Sequence, residues 1–193
     1  SGRPRPVTTR LYVGLMSGTS LDGVDGVLAA IGLAASGQQA IDVIAHHHAP
    51  FPQDLRECLL QLNTRGDNEL HRAALAGNAL MRVYANVVNG LLREAGPQAV
   101  QVRAIGAHGQ TVRHRPQEFD GTGYSLQLMN GALLAELCQI DVICDFRSRD
   151  VAAGGQGAPL VPALHAALFA VPGADVAVLN LGVVVALCLQ RWR

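Results

Sequence analysis

Three short apolar runs open the pattern of hydrophobic and polar positions, at residues 11–16, 24–31 and 40–48. Each run is bounded by residues that favour turns, such as Gly, Ser, Asp and Pro, and runs of this kind are typical of β-strands. Strands that follow one another across short turns pair antiparallel. The pattern therefore predicts a three-stranded antiparallel meander.

After residue 50 the apolar residues recur every three to four positions, which is the period of an α-helix. Phe51-Pro52 predicts a helix start, because proline is tolerated in the first turn, where its missing N–H needs no partner. Residues 68–95 carry apolar side chains every three or four positions, which predicts one long amphipathic helix. Gly96-Pro97 ends this helix.

Strands and helices alternate in the second half. Asn130 is placed to cap the helix that follows it, and the polar stretch 113–123 predicts a loop. A meander followed by such alternation indicates an α/β domain with a mixed sheet. The predicted strands are residues 102–107, 125–129, 141–144 and 176–181, and the predicted helices are 132–138 and 160–170.

Composition narrows the classes of function. The chain has 193 residues, of which 49% are hydrophobic and 16% charged, and this apolar content is enough for one packed domain. Its formal net charge is +0, so it has no electrostatic footprint for nucleic acid or for an anionic membrane. All 15 basic residues are Arg. Without Lys, a Walker A loop and Schiff-base chemistry are excluded.

The compartment is predicted from the cysteines and the apolar segments. The first ten residues are polar, lack the core of a secretory signal and predict a flexible N-terminus. The longest apolar stretch, 176–189, contains Asn180 and is too short to span a bilayer. A cytoplasmic protein with buried, reduced thiols is expected. The cysteines are scattered, at Cys58, Cys138, Cys144 and Cys188.

The first segment with candidate chemistry is the turn between the first two predicted strands. Glycines let backbone N–H groups approach an anion, Thr19 and Ser20 add hydroxyl donors, and carboxylates suit Mg²⁺. The alternative is an ordinary hairpin turn, which the pattern alone favours. The segment comprises Gly18, Thr19, Ser20, Leu21, Asp22, Gly23, Val24 and Asp25, with Asp22 and Asp25 as the candidate Mg²⁺ ligands.

A second segment, His108-Gly109-Gln110-Thr111, follows a predicted strand, where ligands bind in α/β sheets. Gln110 and Thr111 suit sugar hydroxyls. For His108 a binding role and a purely structural role stay open. The run His46-His47-His48 invites a metal site, but successive strand side chains point to opposite faces, so a structural role is favoured there.

The third segment joins a charged cluster, residues 145–150, to a Gly-rich loop, residues 154–159. A loop that leads into a helix N-terminus presents free N–H groups to oxygen-rich ligands. Arg149 suits two-pronged binding of a carboxylate or a phosphate. The alternative is a purely structural ion-pair network in which Arg147 and Asp145 hold the loop in place.

Together these segments resemble the anhydro-N-acetylmuramic acid kinases of the actin, Hsp70 and sugar-kinase superfamily. The matching signatures are VGLMSGTSLDGVD, AIGAHGQTVRHRP and DFRSRDVAAGGQGAPLVPALHAALF, and the resemblance covers residues 11–182. It implies an actin-like (ribonuclease H-like) ATPase lobe at 11–173. It also implies that ATP and water open 1,6-anhydro-N-acetylmuramic acid and phosphorylate O6, giving N-acetylmuramic acid 6-phosphate for cell-wall recycling.

The resemblance also implies roles for residues. Residues 18–25 would bind the ATP phosphates, with Mg²⁺ near Asp22 and Asp25. The expected partners are the sugar and ATP, with a homodimer left open. The sugar candidates are His108, Gln110, Thr111, Arg149, Asp150, Gly155 and Gln156.

Two departures from the family pattern lie near the end. The family shows Asn-apolar-Gly-Gly and a further Asn after the last strand, where this chain has Val183 and Ala186. The aspartate expected to act as the base would lie beyond Arg193. Residues 174–193 are therefore expected to begin a second lobe, and the chain to turn over slowly or not at all. A non-catalytic binding fragment or a gene remnant is the alternative.

Overall fold

The computed structural model describes residues 8–33, 39–96, 101–169, 171, 173–180 and 186–191. Its strands are β1 (Thr8–Ser17), β2 (Gly23–Leu33), β3 (Gln39–Pro50), β4 (Val102–Ala107), β5 (Gln110–Pro116), β6 (Gly123–Leu128), β7 (Val142–Ile143), β8 (Asp175–Asn180) and β9 (Ala186–Arg191). Its helices are α1 (Gln53–Gln61), α2 (Glu69–Ala95), α3 (Gly131–Cys138), α4 (Ser148–Ala152) and α5 (Pro162–Phe169).

A five-stranded mixed sheet forms the centre of the fold, in the order β3-β2-β1-β4-β7. The first three strands pair antiparallel, which confirms the predicted meander. β4 pairs parallel with β1, and β7 pairs parallel with β4. The carboxyl ends of β1, β4 and β7 therefore lie at one edge of the sheet, where α/β folds bind their ligands.

Helix α2 packs across β2 and β3 and carries much of the core. Leu80, Tyr84 and Leu91 on this helix are fully buried. The contact is close because Gly26 of β2 has no side chain: a Cβ there would lie 2.4 Å from Val87 Cγ1. The apolar stripe read from residues 68–95 is thus the face that holds the sheet.

The predicted loop at residues 113–123 is wrong in its first part. Strand β5 runs to Pro116 and pairs antiparallel with β6 as a hairpin. The polar side chains that hid this strand have partners, since Arg113 pairs with Glu69 at 2.6 Å and also donates to the Leu62 carbonyl. Because polar side chains on β5 are paired with residues distant in the chain, the sequence of β5 shows no alternation of hydrophobic and polar positions.

Other boundaries also differ from the sequence predictions. Thr8, Thr9 and Arg10 were expected in a flexible N-terminus but belong to β1, while residues 1–7 lie outside the described residues. The strand predicted at 141–144 is the two-residue β7, and the sequence pattern missed α4 and β9. The predicted cap is confirmed, because Asn130 accepts a hydrogen bond from the Leu133 N–H at 3.0 Å.

The cysteines and the last two strands can also be set beside the sequence predictions. Among the cysteine side chains that the structure describes, Cys58, Cys138 and Cys144 are free and half-buried, where fully buried thiols were expected. Strands β8 and β9 form a separate two-stranded sheet, and the departure at Val183 lies outside the described residues. Within the described part of the chain, every helix is too short or too polar to traverse a lipid bilayer.

Candidate functional site

The edge formed by the ends of β1 and β4 brings the first two candidate segments into contact. The His108 N–H donates to the Leu15 carbonyl at 3.1 Å, which continues the β1–β4 pairing past the end of β4. The Gln110 side chain then crosses to the first segment, and its Nε2 donates to the Gly18 carbonyl at 3.2 Å. The turn after β1 is therefore tied to the segment after β4.

The turn at residues 18–22 exposes its polar side chains. The Leu21 N–H donates to the Gly18 carbonyl at 3.3 Å, and buried Leu21 adopts a left-handed φ of 55°. Thr19, Ser20 and Asp22 are exposed. The Ser20 hydroxyl donates to Asp22 Oδ1 at 2.7 Å, and this hydrogen bond lowers the pKa of Asp22, so the carboxyl is ionised at neutral pH.

The rest of this segment anchors the turn by packing. Leu21, Gly23 and Val24 are buried. A Cβ at Gly23 would lie 2.3 Å from the Ala49 carbonyl oxygen, so glycine is needed there for β3 to approach. These three residues shape the turn, and the side chains of its tip are the ones that face solvent.

Asp25, proposed with Asp22 for Mg²⁺, lies on β2 beside β3. Its Oδ1 is 3.2 Å from His46 Nε2 and 3.2 Å from His48 Nδ1. His47 faces the other side of the sheet and contacts Glu94 at 2.7 Å. The predicted alternation of the three histidines is confirmed, and Asp25 is engaged by two imidazoles.

His108 lies between the segments after β4 and β7, and its two ring nitrogens both have partners. Its Nδ1 is 2.8 Å from the Gly109 carbonyl oxygen. Its Nε2 accepts hydrogen bonds from Nε of Arg147 at 3.1 Å and from Nη2 of Arg147 at 2.8 Å. Burial, together with the charge of Arg147, lowers the pKa of His108, so the ring is neutral at neutral pH. This geometry supports the structural role for His108.

The charged segment after β7 holds the Gly-rich loop. Asp150 Oδ2 accepts a hydrogen bond from the Gly157 N–H at 2.7 Å, and the Asp150 carbonyl accepts from the Gly155 N–H at 2.8 Å. Asp145 accepts from the hydroxyl of Ser148, the first residue of α4, at 2.6 Å. The Gly-rich loop is therefore held by hydrogen bonds with Asp150 and Arg147, and not by the Arg147–Asp145 ion pair that the sequence suggested.

Two sugar candidates from the second segment have structural partners. Gln110 is only 1% exposed, and its Oε1 has no hydrogen-bond partner among the described residues. Its burial beneath the first turn was not visible in the sequence, where its neighbours are polar. Thr111 is half-buried, and its Oγ1 accepts from Gln127 Nε2 at 3.3 Å. By contrast, Arg149 and Gln156 are exposed.

Two cavities meet at His108. One, of about 280 Å³, is lined by residues that include His108, Ser125, Gln127, Asp145 and Ser148. The other, of about 500 Å³, is more apolar, and its lining includes Gly14, Met16, Gly106, His108 and Phe146. Sequence reasoning did not assign Ser125 or Gln127 to a site, because both lie on β6, outside the three candidate segments.

A buried hydrogen-bond chain connects α2 to this edge. The Ser17 hydroxyl donates to the Gly109 carbonyl at 3.3 Å, so the Tyr84 hydroxyl, 3.0 Å away, donates to Ser17. Burial raises the pKa of Tyr84 to about 12, which keeps the phenol protonated as a donor. Tyr84 thus positions both the end of β1 and the start of the second segment.

We expect Tyr84→Phe to lower the free energy of unfolding by about 1 kcal/mol, because it removes one buried hydrogen bond and keeps the packed ring. Tyr124→Phe is the matched control, since Tyr124 is 43% exposed, and should change the free energy by less than about 0.5 kcal/mol. Urea unfolding of both variants measures the difference. Equal effects would contradict the role of the buried chain.

A mixed sheet in this order, with the three segments at the ends of β1, β4 and β7, defines the class as an actin-like sugar-kinase lobe. The sequence model of the family described as anhydro-N-acetylmuramic acid kinase matches residues 10–190. The chain therefore belongs to the anhydro-N-acetylmuramic acid kinase family.

Curated relatives support this membership. The chain is 66% identical over 172 residues to the anhydro-N-acetylmuramic acid kinase of Variovorax paradoxus, covering 89% of this chain and 44% of the relative. For the kinase of that name from Albidiferax ferrireducens the identity is 64%, covering 89% of this chain and 43% of the relative. For that from Bordetella pertussis it is 60%, with 91% and 44% covered. The chain spans less than half the length of these relatives.

Proposed function

We propose that this chain forms the part of an anhydro-N-acetylmuramic acid kinase that binds the phosphates of ATP and the sugar. The proposal is carried by one observation: the segments after β1, β4 and β7 are joined by hydrogen bonds at a single sheet edge. In the proposed reaction, water adds to C1 as the C1–O6 bond of the anhydro ring breaks, and the γ-phosphoryl group of ATP passes to O6, which releases ADP and a proton. The product is N-acetylmuramic acid 6-phosphate.

The phosphates of ATP would bind at residues 18–25. The exposed Thr19 hydroxyl is a donor, and the Ser20 hydroxyl becomes one when it leaves Asp22 Oδ1. Tight turns of this kind let phosphate oxygens approach backbone N–H groups. Mg²⁺ prefers oxygen ligands, so the exposed, ionised carboxyl of Asp22 fits it better than Asp25, which already contacts two imidazoles. When bound, the ion neutralises charge on the β- and γ-phosphate oxygens.

The sugar would bind beside His108 and the Gly-rich loop. The exposed side chains of Arg149 and Gln156 supply donors for its oxygens, and Thr111 lies at the start of the neighbouring hairpin. Asp150 and Gly155 act through the loop that they hold, and Gln110 acts by tying the phosphate turn to the sugar segment. In this arrangement the chain binds and orients both ligands.

The organisation that accompanies this proposal has two parts. Residues 11–173 would form the first lobe, and residues 174–193, with the separate β8–β9 sheet, would begin the second lobe. The matched region covers 44% of the Variovorax relative, and every residue that we assign in it has a binding or structural role. We therefore expect the isolated chain to bind ligand with little or no turnover.

A chimera tests the proposal directly. Residues 11–180 of this chain would replace the matching region of the Variovorax relative, and ATP-dependent phosphorylation of 1,6-anhydro-N-acetylmuramic acid would be measured. We expect activity, and we expect Asp22→Asn to lower kcat/KM by about tenfold or more because an ionised ligand for Mg²⁺ is lost. Arg82→Gln, on the exposed side of α2, is the control and should leave the rate unchanged.

Three outcomes would each contradict one part of this proposal. A folded chimera that does not phosphorylate the anhydro sugar would exclude the assignment of the lobe. Full activity in the Asp22→Asn chimera would exclude the phosphate site at residues 18–25. In the isolated chain, a turnover rate equal to that of the relative would contradict the expectation that it only binds.

A further inference from the structure

The guanidinium group of Arg147 contacts two segments that the chain order keeps apart. Its Nε and Nη2 lie 3.1 and 2.8 Å from His108 Nε2 in the segment after β4. Its Nη1 donates to the Gly157 carbonyl at 2.6 Å in the Gly-rich loop. Three N–H groups of one side chain thus join the second and third segments of the candidate site.

We propose that Arg147 is the positioning residue of this site, which fixes the His108 ring and the Gly-rich loop relative to each other. The ring of His108 borders both cavities, so its orientation sets their common wall. The effect on sugar binding rests on the proposed function. The arrangement itself is a property of the chain and is measurable without any ligand.

The chemistry of this contact requires arginine. The guanidinium group is planar and presents its N–H groups in a rigid fork, so one side chain can reach an imidazole and a carbonyl at the same time. Arg147 is half-buried, and hydrogen bonds from a charged donor strengthen where water is reduced. Lysine carries one compact ammonium on a flexible stem and cannot reproduce both contacts in this geometry.

The contact assigns the tautomer of His108. A carbonyl oxygen only accepts, so the Nδ1 that faces the Gly109 carbonyl carries the proton. Arginine N–H groups only donate, so Nε2 carries the lone pair. Asp145 lines one of the two cavities beside His108, and Asp25 and His46 line the other, whereas the cationic Arg147 contacts the His108 ring directly. The His108 ring is therefore neutral and held in one orientation where it lines the two cavities, and neither of its nitrogens is free for proton transfer.

The same contact fixes the Gly-rich loop from a second side. The carbonyl of Gly157 accepts from Arg147, and its N–H donates to Asp150 Oδ2. Gly157 also has a left-handed φ of 68°, and a Cβ there would lie 3.0 Å from Val151 Cγ2. With Gly157 held on both sides, the neighbouring Gly155 and Gln156 are presented in one orientation.

The ring nitrogens of His108 give a direct test. ¹⁵N NMR of the wild-type chain should show Nδ1 protonated and Nε2 unprotonated at neutral pH. In Arg147→Gln the pKa of His108 should rise, because a neighbouring cation is removed. The Gly157 amide signal should also move. In both Arg147→Gln and Arg147→Lys the His108 ring should no longer be held in a single tautomer, and Arg82→Gln should match wild type in every signal.

A sugar titration gives the second readout. We expect 1,6-anhydro-N-acetylmuramic acid to bind about tenfold more weakly to Arg147→Gln than to wild type, since hydrogen bonds from a charged group are lost. If the wild type does not bind the sugar, the proposed function fails, while the His108 tautomer and pKa still decide the positioning role. If Arg147→Gln does not fold, the wild-type tautomer and Arg147→Lys decide it.

Two results would overturn the inference. The first is a wild-type His108 with its proton on Nε2, which is incompatible with two arginine donors at that atom. The second is a pair of folded Arg147 variants with unchanged His108 and Gly157 signals. Unchanged sugar affinity in those variants would separately exclude the effect on the sugar site.

Discussion

Gly109→Ala should destabilise the chain by about 3 kcal/mol, and we expect it to be among the most damaging single substitutions at this edge. Gly109 has a φ of 75°, where a non-glycine residue costs about 1–3 kcal/mol. A Cβ there would also lie 2.6 Å from the Leu128 carbonyl oxygen, so the backbone of β6 must shift, at about 1–3 kcal/mol for overpacking. Denaturant unfolding measures the sum.

Gly121→Ala is the matched control for this substitution. Gly121 has a φ of 84°, but a Cβ there would have nothing within 4 Å. It should therefore lose only the conformational part, about 1 kcal/mol. If the two variants were equally stable, the close approach of β6 to Gly109 would be wrong, and with it the tight connection between the second segment and the hairpin.

Leu80→Ala should cost about 2–5 kcal/mol, because it opens a cavity where α2 packs in the core. Leu80 is fully buried on the stripe of α2 that holds the sheet, with an exposed fraction of 0%. Since α2 also carries Tyr84, whose hydroxyl reaches Ser17, the loss should loosen the end of β1. Thermal and urea unfolding, with the amide signals of residues 17–22, measure both effects.

Leu75→Ala on the same helix is the control for the core substitution. Leu75 is 56% exposed and should change the free energy of unfolding by less than about 0.5 kcal/mol. A similar cost at both positions would mean that the helix is held by its own propensity rather than by the buried stripe. A large cost at Leu80 with unchanged signals at 17–22 would separate core stability from the geometry of the candidate site.

Elements with a strong periodic signal were predicted well, and the reason is physical. Strand β2 is an apolar run that is buried along most of its length, and α2 buries an apolar stripe with a period of about 3.6, so both sequence patterns report burial directly. Strand β5 and helix α4 bury little apolar surface of their own. Their stability comes from contacts such as Arg113 with Glu69, which join residues 44 positions apart and leave no local period.

The candidate site shows the same division. Motif resemblance selected the three segments, and the relatives place the chain in the family that those segments suggested. Individual side chains were less predictable. Gln110 reads as a polar ligand-binding residue but is buried beneath the first turn, and Arg147 reads as an ion-pair partner of Asp145 but contacts His108 and Gly157.

The sequence by itself determined the α/β class, the meander, the long helix and the identity of the three segments, because local periodicity and turn chemistry depend on near neighbours. Only the tertiary structure decided which side chains face solvent and which hold the site together. Parallel pairing of β1, β4 and β7 joins residues far apart in the chain. The tautomer of His108 and the orientation of the Gly-rich loop follow from that pairing, because Arg147 can reach both only after the strands have aligned.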